Sequence, residues 1–314
     1  MMVAVWIVLA LLVLWLFAGL VVFLLACRKT APIPLDKPEL VYARLGKTHA
    51  DLVYNEGLAF LREHPAEELR MMREDGLTLR GRFVANPQNR GTVVMFHGWH
   101  GCAETDLSPV FRYYYSLGVN LLFVDQRGQN GSGGKFVTFG VKESRDAARW
   151  VEYHNRNLRR CPVILDGISM GASTVLMAMG LELPENVVGV IADSGFTSPA
   201  EIIAHVFRRV THLPGWLVMG AVGLWCRVVG GFRVNHCTLE TTKGSNLPLF
   251  LLHGLKDNFV PSAMSQAVYD AYRGEKEILL VEEAGHGMSY LVQPELCRAR
   301  LRSFFDRVFG EWED

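Results

Sequence analysis

Short apolar segments alternate with segments of helix length along most of this 314-residue chain, and this alternation constrains the fold more than any other feature. Apolar runs joined by helices are typical of parallel strands in a sheet that is covered on both faces. Such sheets carry their functional groups at the C-terminal ends of the strands. The sequence therefore predicts an α/β fold with a parallel central sheet. The predicted strands are residues 92–96, 120–124, 163–165, 187–192, 249–252 and 278–281.

Residues 1–27 carry no charged side chain and are almost entirely apolar. As a helix, residues 3–26 would be about 36 Å long at ~1.5 Å per residue, enough to cross a ~30 Å hydrocarbon layer. We expect a transmembrane anchor, because a cleaved signal peptide has a shorter apolar region and a basic n-region, and a core helix is not uniformly apolar. An alternative is a lipoprotein cleavage box at residues 24–27, Leu-Leu-Ala-Cys, in which Cys27 would be lipidated.

Basic residues follow this apolar run closely, and no Lys or Arg precedes it. The positive-inside rule then places the folded body in the cytoplasm, as the soluble part of a single-pass membrane protein. Lys plus Arg and Asp plus Glu both number 32, so no long-range field favours nucleic acid as a partner. The six cysteines form no Cys-x-x-Cys pair, which argues against structural zinc and a redox pair. The basic residues are Arg28, Lys29, Lys37, Arg44 and Lys47.

Changes of pattern divide the chain after residue 27 into two parts. Residues 28–67 begin with the prolines of a stiff spacer and continue with apolar residues at helical spacing, so we expect a spacer and a pair of helices. Residues 68–314 form the predicted α/β domain, which opens with two strands around Asp75-Gly76, a strong hairpin signal. Residues 196–245 contain helical apolar stretches without a strand pattern, and we interpret them as a helical cap over the strand ends.

The predicted strand 163–165 runs into Gly167-Ile168-Ser169-Met170-Gly171 and then into a helical segment. Gly-x-Ser-x-Gly is a weak motif by itself. Between a strand and a helix it is typical of a nucleophile elbow, in which the glycines permit a sharp turn that exposes the serine hydroxyl. We therefore expect Ser169 to be a nucleophile.

A serine hydroxyl becomes an effective nucleophile when a histidine, oriented by a carboxylate, accepts its proton. In this layout the acid and the histidine follow later strands, in the order Ser, acid, His. Asp257 and His286 each follow a later predicted strand, so we expect a catalytic triad of Ser169, Asp257 and His286. Asp193, at the end of the strand after the nucleophile helix, is the alternative acid.

Acyl transfer passes through a tetrahedral intermediate whose oxyanion is stabilised by two backbone N–H groups. One donor is the residue after the nucleophile, Met170. We expect the second, Trp99, in the loop 97–101 that follows the first central strand. His97 and His100 in that loop have the spacing of half a metal site, but no third ligand is suitably spaced.

The Gly-rich segment 127–135 follows a predicted strand and invites comparison with a phosphate-binding loop. It lacks a glycine and a hydroxyl residue that such a loop requires. We interpret it instead as a flexible wall of the active site, with Asp125 and Arg127 as structural charges.

Five motifs follow one another along the chain: His97-Gly98-Trp99, Asp125-Gln126-Arg127-Gly128, Gly167-Ile168-Ser169-Met170-Gly171, His253-Gly254-Leu255-Lys256-Asp257 and Gly285-His286. Together they resemble the α/β-hydrolase superfamily, most of all bacterial membrane-anchored members grouped with the serine aminopeptidase S33 and Bem46-like hydrolases. The resemblance covers roughly residues 68–309. It implies an eight-stranded, mostly parallel sheet and no metal or organic cofactor. It also implies the same site: Ser169 as nucleophile, Asp257 as acid, His286 as base, and Trp99 and Met170 as oxyanion donors.

These features lead us to expect a membrane-anchored serine hydrolase that acts on a carboxylic ester, with a small-molecule or lipid-like acyl substrate. Amidase, peptidase or acyltransferase activity would use the same site. The predicted cap has an excess of basic residues, however, whereas an aminopeptidase needs carboxylates for a free ammonium. Its charge-free stretch 213–226 is interpreted as a cap core, or alternatively as the lining of an acyl pocket or a membrane contact. A non-catalytic α/β-hydrolase scaffold that binds a partner or a lipid is the remaining alternative.

Overall fold

The computed structural model describes residues 1–311, so the last three residues of the predicted domain 68–314 lie outside the described residues. The described part contains an eight-stranded sheet with the order β1-β2-β4-β3-β5-β6-β7-β8. Strands β3 to β8 pair in parallel, whereas β2 pairs antiparallel with both β1 and β4. The strands are β1 (Glu67–Met72), β2 (Thr78–Val84), β3 (Thr92–Phe96), β4 (Asn120–Val124), β5 (Val163–Ile168), β6 (Val187–Asp193), β7 (Leu249–Gly254) and β8 (Lys276–Val281).

Helices cover both faces of this sheet, which confirms the predicted α/β architecture. Every residue of β3 is buried; Val93 and Met95 pack in a core with side chains of α6 and α14, and Val94 and Phe96 pack in a second core with side chains of α7 and α8. This two-sided burial explains why the strand is apolar at consecutive positions. The helices are α1 (Met2–Cys27), α2 (Pro38–Leu45), α3 (Lys47–Leu52), α4 (Leu58–Glu63), α5 (Ala103–Asp106), α6 (Ser108–Ser116), α7 (Glu143–Asn157), α8 (Met170–Ala178), α9 (Pro199–Thr211), α10 (Trp216–Trp225), α11 (Thr238–Thr242), α12 (Ala263–Ala271), α13 (Ser289–Val292) and α14 (Pro294–Phe309).

The predicted hairpin is present, with β1 and β2 joined around Gly76, whose φ of 78° suits a residue without a Cβ. The predicted pair of helices before it is instead three short helices, α2 to α4, with a π-helical turn at Val53–Gly57 between α3 and α4. Gly46, with a φ of 77°, ends α2 and separates it from α3.

Helix α1 is uncharged over its 26 residues and is long enough to cross a bilayer. Its first half is exposed, but its second half packs on the folded body, where Phe23 is fully buried. Gly19 lies against Ala221 of α10, at a distance that leaves no room for a Cβ. The indole Nε1 of Trp225 donates a hydrogen bond to the carbonyl oxygen of Leu16 at 2.9 Å.

The segment that follows α1 is not the spacer that the prolines suggested. The N–H of Val137 donates to the carbonyl oxygen of Cys27 at 2.7 Å, and the N–H of Lys29 donates to the carbonyl oxygen of Lys135 at 2.9 Å. Ile33 is buried in a small apolar cluster with Val41. The chain therefore leaves α1 directly on the surface of the α/β body, since these contacts begin at the last residue of the helix.

Between β6 and β7 the described chain contains α9, a second apolar helix α10, a π-helical turn at Cys226–Gly230 and α11, and no strand. This content agrees with the helical cap expected at residues 196–245, although the exact boundaries of that cap stay a prediction. Of the two tryptophans in the charge-free stretch, Trp225 is used in the contact with α1, whereas Trp216 is 76% exposed.

Candidate active site

The turn between β5 and α8 holds Ser169 in a strained backbone conformation, with φ 57° and ψ −116°. Its flanking glycines are required by close packing. A Cβ at Gly171 would overlap the carbonyl oxygen of Phe96 at the end of β3, and a Cβ at Gly167 would overlap the carbonyl oxygen of Gly171. Non-glycine residues adopt such a conformation at a cost of about 1–3 kcal/mol, and they do so mainly at functional sites. This strand-turn-helix geometry is that of a nucleophile elbow.

The structure brings the three side chains of the predicted triad together. The hydroxyl oxygen of Ser169 lies 2.8 Å from Nε2 of His286, and Nδ1 of the same ring lies 2.6 Å from Oδ2 of Asp257. Because the carboxylate accepts hydrogen bonds, it assigns the proton of the neutral ring to Nδ1. Nε2 is then free to accept the hydroxyl hydrogen of Ser169. Asp257 and His286 follow Ser169 by 88 and 117 residues in the sequence. The three residues meet because β5, β7 and β8 end at the same edge of the sheet.

Asp257 is held as a carboxylate by several donors. Its Oδ1 accepts the backbone N–H groups of Phe259 and Val260, both at 2.8 Å, and its Oδ2 accepts from Nε2 of His253 at 3.1 Å as well as from His286. Burial alone would raise the pKa of Asp257, but the hydrogen bonds from His253 and His286 outweigh burial and hold that pKa well below its usual range.

His253 is a site residue that sequence reasoning missed. It is fully buried at the end of β7, and its Nδ1 lies 2.7 Å from the hydroxyl oxygen of Ser265, which fixes the ring between α12 and Asp257. The sequence contained a weak signal, since His253 lies four residues before Asp257 in the same motif.

The alternative acid, Asp193, does not share a hydrogen bond with His286 as Asp257 does. Its carbonyl oxygen accepts the N–H of Ser169 at 2.7 Å, and its Oδ1 accepts the hydroxyl of Ser194 at 2.8 Å. Burial raises the pKa of Asp193 to about 6. Asp193 therefore braces the elbow through its backbone, and the orientation of His286 is left to Asp257.

The loop 97–101 passes directly beside the elbow, because a Cβ at Gly98 would lie 3.3 Å from Cβ of Ser169. The N–H of Gly98 donates to Oδ2 of Asp106 at 2.7 Å, and the N–H of His100 donates to the side-chain oxygen of Gln129 at 2.6 Å. Between them, the N–H of Trp99 donates no hydrogen bond within residues 1–311, and the same is true of Met170 at the start of α8. Both N–H groups remain available to a ligand beside Ser169.

The Gly-rich segment 127–135 is not the active-site wall expected from the sequence, because none of its residues lines the cavity at Ser169 and it packs against the loop 97–101, where Nδ2 of Asn130 donates to the carbonyl oxygen of Gly101 at 2.7 Å. The side chain of Arg127 pairs with Asp146 at 2.5 and 2.6 Å, so its role as a structural charge is as expected. The side-chain oxygen of Gln129 supports the loop through His100, as described above. The segment therefore fixes the loop beside Ser169 from behind.

The ring nitrogens of His97 are both occupied. Nδ1 lies 2.8 Å from the carbonyl oxygen of Gly98, and Nε2 accepts the backbone N–H of Gln126 at 3.2 Å. The described residues contain no cluster of three or more metal-ligating side chains.

An apolar cavity of about 610 Å³ opens at Ser169. Its size is typical of pockets for small organic ligands. Ser169 and Thr211 are the only lining residues with a hydroxyl, and no Asp, Glu, Lys or Arg contributes to the lining. The lining residues are Phe17, Ala18, Val21, Val22, Leu25, Ala26, Trp99, Phe139, Ser169, Phe196, Ile202, Ile203, Val206, Phe207, Val210, Thr211 and Phe259.

Comparison with known proteins relates this fold to that of hydrolases. The family of serine aminopeptidases, S33, matches residues 87–223. The uncharacterized protein YqkD of Bacillus subtilis is 26% identical over 235 residues, which cover 74% of this chain and 77% of that protein. The protein bem46 of Schizosaccharomyces pombe is 24% identical over 200 residues, 62% of each chain. The structure of the Pyrococcus furiosus esterase Pf2001 superposes with a TM-score of 0.65 at 25% identity, covering 79% of this chain and 93% of the esterase.

Proposed function

The chain is an α/β-hydrolase of the serine aminopeptidase S33 and Bem46-like group, and from this premise we propose that it is a serine hydrolase that cleaves carboxylic esters through an acyl-enzyme. The observation that carries the proposal is the hydrogen-bonded chain from Ser169 through His286 to Asp257. A serine on an elbow beside the cavity, a histidine on its hydroxyl and a buried carboxylate behind the histidine are the three groups that acyl transfer requires.

In the proposed reaction, the hydroxyl oxygen of Ser169 attacks the ester carbonyl while Nε2 of His286 accepts the hydroxyl proton. The tetrahedral intermediate then collapses: the bond between the carbonyl carbon and the alcohol oxygen breaks, and His286 returns the proton to the leaving alcohol. Water repeats the sequence on the acyl-enzyme and releases the carboxylic acid. Asp257 stays ionised throughout, since its donors hold its pKa low, and it stabilises the imidazolium that forms twice in each cycle.

The N–H groups of Trp99 and Met170 are proposed as the donors to the oxyanion of both intermediates. Two features support this assignment: both groups lack another acceptor within residues 1–311, and Gly98 brings the loop to Ser169. Loss of one such donor in serine hydrolases costs roughly 2.7–4 kcal/mol of transition-state stabilisation.

The lining of the cavity favours an ester with an apolar acyl group over a peptide with a free N-terminus. An aminopeptidase substrate carries an ammonium group, and burial of that charge without a carboxylate partner costs several kcal/mol. The cavity at Ser169 offers no such carboxylate. Its aromatic and aliphatic lining is instead suited to a hydrocarbon chain.

Covalent labelling with a fluorophosphonate tests the proposal, because the reagent reacts only with an activated serine. We expect a stoichiometric adduct on the peptide that contains Ser169, loss of labelling in Ser169→Ala, and hydrolysis of p-nitrophenyl esters by the unmodified chain. As a matched control, Ser173→Ala changes a buried serine one turn along α8 whose hydroxyl serves a backbone contact with Phe196. An absence of labelling in folded protein would show that the site is a non-catalytic scaffold.

We also propose that α1 anchors the protein to a membrane with the α/β body on the cytoplasmic side. Its length and lack of charge support a bilayer span, and Arg28 and Lys29 directly after it support the orientation. Cells that carry the full chain should retain it in the membrane fraction after alkaline carbonate extraction. Protease added outside intact cells should leave the body uncut, whereas cleavage would place the body on the opposite side.

A further inference from the structure

The cavity at Ser169 has two helical walls that come from distant parts of the chain. One wall is the C-terminal half of α1, including Phe17, Val21 and Leu25, and the opposite wall is α9, including Val206 and Val210. Ser169, in the turn after β5, and loop residues such as Trp99 and Phe259 complete the lining. Helix α1 therefore takes part in the site itself.

Contacts with α10 fix the position of α1 beside the cavity. The indole Nε1 of Trp15 donates to the carbonyl oxygen of Leu217 at 2.7 Å, in addition to the bond between Trp225 and Leu16. At the inner end of the helix, the indole Nε1 of Trp99 donates to the carbonyl oxygen of Ala26 at 2.7 Å. This last bond ties α1 to the loop whose backbone faces Ser169.

Several α1 residues that line the cavity lie within the hydrocarbon layer, whichever part of the helix spans the bilayer. A hydrocarbon layer of ~30 Å takes about 20 residues at ~1.5 Å per residue. Every 20-residue window within Met2–Cys27 contains residues 8–21, and tilting the helix adds further residues to that set. Phe17, Ala18 and Val21 therefore lie in the hydrocarbon layer in each case, and the cavity beside them is reached from that layer.

The surface around the mouth of the cavity is apolar as well. Phe17 and Leu25 of α1 and Val210 of α9 line the cavity and are 62%, 71% and 75% exposed, so they mark its mouth. Helix α10, which packs along α1, exposes Trp216 and Leu224 and carries no charge. Several large exposed apolar side chains of this kind are stable in contact with lipid, and they are not expected to face water.

From this arrangement we propose that the cavity between α1 and α9 is an acyl-chain site that opens sideways into the bilayer, and that the substrate is an acyl ester of a membrane lipid. The proposal rests on the serine hydrolase function proposed above and adds the substrate class and its route. The acyl chain enters between the two helices from the hydrocarbon layer, and its carbonyl reaches Ser169 without passing through water.

The length of the wall sets the chain length that the site accommodates. From Phe17 to Ala26 the helix rises about 13 Å. An extended alkyl chain advances about 1.25 Å per carbon with C–C bonds of ~1.5 Å, so roughly ten carbons lie along the wall. We expect rates to rise with acyl length up to about this number of carbons and to change little beyond it, because the remainder of a longer chain stays in the lipid.

Two alkyl fluorophosphonates, ethyl and dodecyl, test the wall with the full chain in phosphatidylcholine vesicles. The wild-type protein should react faster with the dodecyl reagent. Ala18→Trp fills the cavity and should lower the ratio of dodecyl to ethyl rates by about tenfold or more. Leu14→Trp, on the same helix but outside the cavity, is the matched control and should keep the wild-type ratio. An unchanged ratio in Ala18→Trp would overturn the acyl site, whereas a wild type that reacts with neither reagent would overturn the hydrolase function.

A second measurement does not depend on turnover or on a cavity-filling variant. Full-length Ser169→Ala in vesicles that contain phosphatidylcholine with a photoreactive group in its acyl chain should form cross-links after illumination. We expect adducts on both walls, in the peptides that contain residues 17–26 and residues 202–211. Adducts confined to the outward positions of α1, such as Leu11 and Leu14, would show that lipid only surrounds the helix and would exclude the proposed route.

Discussion

We propose Asp257 as the acid of the site because its carboxylate is the one that contacts His286. Asp257 and Asp193 both follow strands at the correct edge of the sheet, and the sequence alone left both open. In the structure Oδ2 of Asp257 lies 2.6 Å from Nδ1 of His286, whereas Asp193 is bonded to Ser194 and supports Ser169 through its carbonyl oxygen. The choice between Asp257 and Asp193 therefore depends on distances and side-chain directions in the folded structure, which the order of residues in the sequence does not specify.

Substitution of each carboxylate by its amide separates the two roles. Asp257→Asn leaves His286 without an anionic acceptor on Nδ1, and we expect kcat/KM for a p-nitrophenyl ester to fall roughly 1,000-fold or more. Asp193→Asn keeps the backbone bond to Ser169 and should cost less than about tenfold. Steady-state kinetics on both variants checks this, and a reversed order of the two losses would assign the acid to Asp193.

Asp166 is a buried carboxyl of β5 that the proposed reaction does not use. Burial raises the pKa of Asp166 to about 7, while a hydrogen bond from the Tyr114 hydroxyl opposes this rise and the nearby Asp193 adds to it. The unfolded chain releases this proton near pH 3.8, so between about pH 4 and pH 7 the folded protein binds more protons than the unfolded chain. The free energy of unfolding therefore contains a contribution that falls as pH rises through this window.

Asp166→Asn removes that contribution, because the amide stays neutral. At ~1.4 kcal/mol per pH unit, the window sets an upper limit of about 4 kcal/mol for the gain in stability at pH 8. We expect the variant to melt at a higher temperature than wild type at pH 8 and at a similar temperature at pH 4. Thermal unfolding in detergent at both pH values checks this, with the exposed Asp270→Asn as control. A melting difference that is the same at both pH values would contradict the assignment.

The contact between α1 and α10 shows what the sequence could not predict about elements. Helix α1 was predicted at close to its observed length, whereas the residues of α10 were recognised only as part of a charge-free stretch, 213–226, within the expected helical cap. A helix that is apolar all round has no periodicity to indicate which face is buried, so nothing in the sequence paired them. Gly19, the only glycine of α1, was the one local signal, since a glycine within a helix often marks close packing.

That pairing predicts a specific rescue. Gly19→Ala places a methyl group against Ala221 and should destabilise the protein by about 1–3 kcal/mol, the usual cost of overpacking. Ala221→Gly in the same chain removes the nearer of the clashing groups and should restore part of the loss. Inactivation temperatures of the two single variants and the double variant give the coupling. Additive effects would show that the two positions do not touch.

At the scale of the whole molecule, the sequence predicted the structure where strands and helices alternate regularly. It did not predict the contacts between segments that are far apart in the chain. The alternation of apolar strands and helices gave the sheet, and strand ends at one edge brought Ser169, Asp257 and His286 together. The role of His253 was missed and that of the segment 127–135 was predicted wrongly, because both depend on contacts across the fold, with Asp257 and with the loop 97–101. The cavity between α1 and α9 could not be predicted either, because its two walls come from segments that are far apart in the sequence.

Two deletions in α1 test whether the helix serves only as a membrane anchor or also forms a structural wall of the cavity. Residues 2–14 are exposed along their whole length, so their deletion should preserve the inactivation temperature and ethyl fluorophosphonate labelling in detergent. Deletion of residues 2–27 also removes fully buried Phe23, worth about 3–5 kcal/mol by itself, and the acceptor of Trp99 at Ala26. It should lower the inactivation temperature and slow labelling of Ser169. If both deletions behaved alike in detergent, α1 would be a detachable anchor, because the body would then keep its stability and its reactive serine without the helix.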